Sequence, residues 1–140
     1  MDFTEITRLR PAGLVVSPAF SHVAIVPAGA ATVYVGGQNG VDAEGKVVSD
    51  DVAEQASRAL DNAGVALAAA GAAFADVVQW TVLIAQDADV RAAYGAIGPR
   101  LAAASAEAGG PPLVTAALVA GLAVPGALIE ISAVAALPPK

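Results

Sequence analysis

The 140 residues include no cysteine, one histidine, one tryptophan and one methionine, and aromatic residues make up 4% of the chain. Without cysteine there is no disulfide framework and no thiolate nucleophile. A single histidine with no cysteine beside it cannot assemble the ligand set of a zinc site, so no metal is expected. Positive charge is also scarce: seven Lys and Arg stand against 13 Asp and Glu, a formal net charge of -6. Nucleic-acid binding needs a basic footprint that displaces phosphate counterions. Seven scattered cations do not form one, and nucleic acid is not an expected partner.

Long apolar runs are missing as well. The best one, residues 113–129, is cut by Gly121, Pro125 and Gly126, and a membrane span needs about 20 predominantly apolar residues. No membrane partner is expected. The stretch Met1 to Arg10 carries charges throughout and has no apolar centre, so it does not read as a signal peptide. These absences together lead to the expectation of a cytoplasmic protein.

What is abundant is apolar residue, 56% of the chain against 14% charged, with a mean hydropathy of +0.66. That excludes a disordered chain. It also exceeds what a lone 13.7 kDa globule needs, since small domains expose much of their surface. With a membrane set aside, the excess predicts a subunit that buries apolar surface against copies of itself.

The patterning predicts one domain without linkers. Residues 19–26 read as a strand ended by Pro27-Ala28-Gly29, and residues 31–38 as a second, close enough for a hairpin. Residues 38–49 form a loop with a short extended piece at 46–48. A helix then starts at Asp50 or Asp51, where Asp51 and Glu54 resemble a capping box. Its apolar stripe runs through Val52, Ala56, Leu60, Ala63 and Leu67, and Gly71 stops it. Residues 76–84 read as a third long strand, with Trp80 in the core or an interface. A second helix begins near Asp87 with Val90, Tyr94 and Ile97 as its stripe. Gly98-Pro99 should break it, because proline lacks the helical N–H, with helix resuming over residues 100–108 and Pro99 in its first turn. Residues 113–119 and 127–135 are the last two strands, joined by a turn at 121–126. The order β-β-α-β-α-β-β predicts two helices on one face of a mixed sheet. The other face then needs cover, for which a partner subunit is the economical source.

That order carries four words: Phe20-Ser21-His22, Val33-Tyr34-Val35-Gly36-Gly37-Gln38, Asp76-Val77-Val78 and Pro125-Gly126-Ala127-Leu128-Ile129-Glu130-Ile131. Together they resemble the Rid (YjgF, reactive intermediate deaminase) family over residues 17–137. The resemblance implies an α+β, chorismate-mutase-like fold and a homotrimer with ligand clefts between subunits. It implies a small-molecule ligand, hydrolysis of an imine or enamine such as 2-aminoacrylate, and no cofactor. In typical members an arginine holds the substrate carboxylate and a C-terminal glutamate positions a water.

Carried over residue by residue, the aromatic-Ser pair falls on Phe20 and Ser21, the strand glycine on Gly37 and the glutamate on Glu130. The arginine falls on Leu113, within Pro111-Pro112-Leu113-Val114-Thr115, where only Thr115 keeps the family's triplet. The helical asparagine falls on Arg91. A guanidinium offers a fork of donors that fits a carboxylate, and Leu113 offers none. Turnover of 2-aminoacrylate is therefore expected to be reduced or absent unless Arg91, or secondarily Arg100, supplies a cation.

Glu130 is unusual in its own right, a carboxylate in an otherwise apolar strand. It is read as orienting a water or ligand, with a solvated residue or a cross-subunit pair as the plain alternative. Ser21 is expected to bond backbone rather than act as a nucleophile, and His22 to form a pocket wall or surface group. The resulting expectation is a Rid-like protein that binds or hydrolyses a small imine, enamine or carbonyl metabolite. The alternative is a non-catalytic binding or regulatory trimer. A ribonuclease or translation-inhibitor role is disfavoured by the acidic charge.

Overall fold

A computed structural model describes residues 3–140; Met1 and Asp2, the start of the charged N-terminal stretch, lie outside the described residues. Strands β1 (Thr7–Leu9) and β2 (Val23–Ile25) pair antiparallel as a two-stranded sheet. Strand β3 (Ala31–Asn39) leads into helix α1 (Val52–Ala69). A 3₁₀ turn at Phe74–Asp76 precedes β4 (Val77–Ala85), then come α2 (Val90–Ala108), β5 (Leu113–Val119) and β6 (Ile129–Leu137). The second sheet has the order β3-β6-β4-β5. Its β4–β5 pair is parallel and its other pairs are antiparallel, so it is mixed.

Helix α1 begins where its sequence says it should. Asp51 is the N-cap and accepts the Glu54 N–H at 3.1 Å, which satisfies one of the free donors of the first turn. The stripe Val52, Ala56, Ala59, Leu60, Ala63 and Leu67 is buried. Small side chains there let the helix lie close on β3 and β6, which it contacts along with α2. Both helices cover one face of the sheet. Trp80, Val82, Ile84, Ile129, Ile131 and Ala135 of the strands meet Ile97 and Ala93 of α2 in the core.

Three expectations are corrected. The second helix does not break at Gly98-Pro99; α2 is continuous over 19 residues with Pro99 inside it. Proline removes one hydrogen bond there. The ring is exposed, and core packing by Ile97 before and Leu101 after holds the helix through. Second, the hairpin of the first two strands does not form. Residues 19–22 are not strand, β2 pairs with β1, and β3 pairs with β6. Pro27 and a turn closed by Ala30 N–H to Pro27 O at 3.3 Å separate the two, and the Thr7–Leu9 strand, unread in the sequence, takes the partner role. Third, the last strand is shifted two residues, to Ile129–Leu137, because Ala127 N–H closes the preceding turn on Val124 O at 3.0 Å. The other helix stop and the β5 boundaries lie where the pattern put them.

Candidate functional site

The site is set by the alternation of β6. Ile129, Ile131, Ala133 and Ala135 point under the helices, so Glu130, Ser132 and Val134 face the other way. Register extends that second face across the sheet in three rungs: Glu130 beside Leu83 and Ala117, Ser132 beside Thr81 and Thr115, Val134 beside Gln79 and Leu113. No helix covers this face. Tyr34 lies on it, paired with Val134 and 79% exposed.

Glu130 meets Gly37 directly. The β3–β6 register slips between Val35 and Gln38, a bulge that turns the bare Gly36-Gly37 backbone outward. A Cβ on Gly37 would stand 2.6 Å from Glu130 Cδ and 2.7 Å from Oε2. The glycine is there for space, because a methyl group would displace the carboxylate. Glu130 is half-buried. The ion pair found among the described residues joins Arg100 to Asp61 at 2.8 Å, not Glu130 to a cation.

Two buried amides hold Glu130 in register. Asn39, paired opposite it, donates to Ile129 O at 2.9 Å. Gln55, 0% exposed on α1, donates to Ser49 O at 2.8 Å and Gly126 O at 3.1 Å, and accepts Leu128 N–H at 2.8 Å. Gly40 lets the chain pass against this clamp, since a Cβ there would lie 2.5 Å from Gln55 Cα. Sequence reading missed both amides. A glutamine in the apolar stripe of α1 was the available signal, since a buried amide must find partners.

The remaining candidates gather elsewhere. Ser21 is 4% exposed; its Oγ donates to Pro111 O at 2.6 Å and its N–H to Pro112 O at 3.0 Å. It therefore ties the N-terminal segment to the start of β5, immediately before Leu113. Thr115 Oγ1 accepts from Gln79 Nε2 at 3.1 Å. Phe20 stacks edge-on against His22, with ring centroids 5.4 Å apart. It also walls an apolar groove of about 370 Å³ between α2 and β5, with Tyr94, Leu101, Val114 and Ala116. Burial raises the Tyr94 phenol above its usual range.

Within one chain, then, Glu130 and Gly37 form one group on the uncovered face and Leu113 and Thr115 a second, with Ser21 tied in just before Leu113, while Phe20 lies on the helix side of β5 beside Val114 and Ala116. Leu113 is two strands across from Glu130 and four residues along, roughly 10 Å by 14 Å at standard strand spacings. Within a single subunit Glu130 and Leu113 are therefore not in contact. Neither candidate cation reaches Leu113. Arg91 is exposed in the first turn of α2, whose Val90 and Tyr94 line a groove with Leu118, toward the opposite end of β5. Arg100 is engaged between the helices, on Asp61 and on Ser57 O at 3.3 Å, with its guanidinium 5.6 Å over the Phe74 ring. No cluster of metal-ligating side chains is found among the described residues, and no helix there is long and apolar enough to cross a membrane.

The family model described as Endoribonuclease L-PSP matches residues 13–137, almost the whole chain. YyfB of Yersinia pestis, a protein of the conserved Rid family, superposes with a TM-score of 0.81 at 30% identity, covering 95% of this chain and 99% of that one. This chain belongs to the Rid family. The YjgF gene product of E. coli, also 30% identical, superposes with a TM-score of 0.59 over 74% of this chain and 79% of that one. The human 2-iminobutanoate/2-iminopropanoate deaminase is 51% identical over 55 residues, a stretch that is 39% of this chain and 40% of that enzyme. The alignments with the curated deaminases span 40 to 45% of their length. Within this Rid chain the uncovered sheet face carries Glu130 at one end and Leu113 at the other.

Proposed function

We propose that this Rid protein binds, and in the simplest case hydrolyses, a small imine, enamine or carbonyl metabolite in clefts between the subunits of a homotrimer. The observation that carries the reading is Glu130 packed against the bare Gly37 backbone on the uncovered face. A half-buried carboxylate next to an open backbone N–H and C=O can orient a water and a polar ligand head together. Leu113 and Thr115 lie too far along the same face to touch that ligand, so in this reading a complete cleft pairs Glu130 and Gly37 of one copy with Leu113 and Thr115 of the next. Named activities of relatives support the same class of reaction, since the human relative is a 2-iminobutanoate/2-iminopropanoate deaminase.

In this reading Leu113 stands where typical members carry the carboxylate-binding arginine. An imine derived from an amino acid would bring its carboxylate to an apolar side chain. An unpaired buried carboxylate costs several kcal/mol, so 2-aminoacrylate is a poor substrate, by two or more powers of ten in rate. An uncharged or ester-like imine or carbonyl compound fits better. The same leucine favours the second reading, a binding or regulatory trimer that keeps the cleft without the chemistry.

The experiment is a deaminase assay on 2-aminoacrylate and on uncharged imines, run with wild type and Glu130→Gln, beside sedimentation of both. The expected species is a trimer of 13.7 kDa subunits, and the variant assembles normally but loses turnover. A trimer that binds such ligands through Glu130 without turnover selects the second reading. A stable monomer at micromolar concentration, or a variant equal to wild type in every ligand assay, overturns both.

A further inference from the structure

Gln38 pairs with Ile131, a core residue, so its side chain lies on the α1 side of β3, opposite Glu130. On that side a groove of about 440 Å³ opens between the loop after β3 and the outer edge of α1. Its polar wall is Gln38, Asp42, Arg58 and Asn62, and its apolar wall includes Val41 and Val65. The volume falls in the usual range for small-molecule sites.

The cation of this groove is held in place. Arg58 Nε donates to Asn62 Oδ1 at 3.1 Å. Asn62 is itself pinned, its amide donating to Asn39 O at 3.0 Å and Val41 O at 2.9 Å. The guanidinium thus keeps a fixed plane while its two terminal nitrogens have no protein partner among the described residues. Such a fork is preorganised for a carboxylate. Asp42 is held in the same way. Its Oδ1 accepts the Lys46 N–H at 3.0 Å and the Glu44 N–H at 2.9 Å, and its Oδ2 has no such partner. Those bonds, the Lys46 N–H foremost, keep its carboxyl below the usual range and so ionised.

A fork of donors and a fixed carboxylate on the walls of one groove select a particular charge pattern. A simple anion meets Asp42 and a chain of net charge -6. A simple cation meets Arg58. A zwitterion answers both, its carboxylate on Arg58 and its ammonium on Asp42. Val41 and the 72% exposed Val65 leave room for a small apolar side chain. We propose that this groove is a second site, separate from the Glu130 cleft, which binds a free α-amino acid with a small apolar side chain.

Calorimetric titration of the full chain with L-valine, isovalerate and isobutylamine tests it. L-Valine binds, and the two half-ligands, each lacking one charge, bind at least about tenfold more weakly. Arg58→Lys keeps the charge and loses the fork, and Asp42→Asn keeps the Oδ1 acceptor and loses the charge; each weakens L-valine by about tenfold or more. Glu130→Gln leaves L-valine affinity unchanged. In wild type the Asn62 side-chain amide and Val65 methyl signals shift on titration, a readout that does not depend on either variant folding. No binding of L-valine at millimolar concentration overturns the proposal. So does isovalerate binding as tightly as L-valine, or L-valine affinity that is lost in Glu130→Gln, or affinity that survives in both Arg58→Lys and Asp42→Asn.

Discussion

On the helix side of β6, Ile129, Ile131, Ala133 and Ala135 are 0 to 6% exposed. On the other side of the same strand Glu130, Ser132 and Val134 remain half-buried. One face is closed within the chain by α1 and α2. The other has no internal cover, yet it carries Tyr34, Leu83 and Val134 beside its one carboxylate. Burial of apolar area stabilises at roughly 25 cal/mol per Å², so the closed face supplies most of the folding energy. The open face is where a change costs little stability and alters what the surface can hold. Gly37 and Gly40, three residues apart on one strand and its following turn, repeat this division. An added Cβ at Gly40 meets helix backbone, whereas one at Gly37 meets the free end of a side chain.

The strongest way to break the comparison is on the closed face. Gly40→Ala places a Cβ 2.5 Å from Gln55 Cα and 2.6 Å from its carbonyl oxygen. Backbone must move, and a loss of about 3 kcal/mol or more is expected in urea unfolding. Gly36→Ala, with nothing within 4 Å, changes stability by less than about 1 kcal/mol. Equal midpoints for the two would mean that the α1–β3 contact yields easily.

Next comes the core against the open face. Ile131→Ala should cost about 2–5 kcal/mol. Val134→Ala costs clearly less when the chain is measured below any association concentration; if copies assemble over this face, as proposed, the cost rises with concentration. Gln55→Leu sits close behind, because it removes the partner of Ser49 O, Gly126 O and the half-buried Leu128 N–H, at about 1–3 kcal/mol for groups left without a hydrogen bond. A Gln55→Leu protein as stable as wild type would show that the clamp is dispensable.

Gly37→Ala reverses the order of effects. Its clash is with the Glu130 carboxyl, which can swing away, so thermal unfolding shifts by the equivalent of about 1 kcal/mol or less. Ligand binding or turnover through Glu130 should fall as far as in Glu130→Gln. A variant that keeps function places the reacting surface elsewhere.

The smallest effect is the pH dependence at Asp42. Its folded pKa lies below the ordinary value of 3.8, so its bonds to the loop stabilise the protein above that value. This contribution is lost as pH falls through the lower folded pKa. Thermal midpoints of wild type and Asp42→Asn should therefore converge as acidity increases below about pH 4. A gap that widens there would give the shift the opposite sign.

Strand β5 and the start of α1 were legible because each is specified locally, β5 by a β-prone run bounded by Pro111-Pro112 and α1 by an aspartate cap. The two-sided character of β6 was legible too, since alternation alone separates Glu130 from Ile129 and Ile131. The β1–β2 pairing was not, because a three-residue strand carries too little pattern and its partner is chosen by distant bonds such as Ser21 to Pro111. The continuity of α2 across Pro99 was hidden for the same reason: local propensity argues for a break, and core contacts made by Ile97 and Leu101 outweigh it.

Composition, strand and helix periodicity and the family's short words by themselves determined the fold class and singled out Glu130 and Gly37, because those features depend on neighbours a few residues away. That Glu130 lies against Gly37, that Leu113 lies at the far end of the same face, and that Arg100 is taken up by Asp61 were decided only by the tertiary structure. Each depends on strand order, register and the bulge in β3, and these arise from the packing of residues distant in sequence.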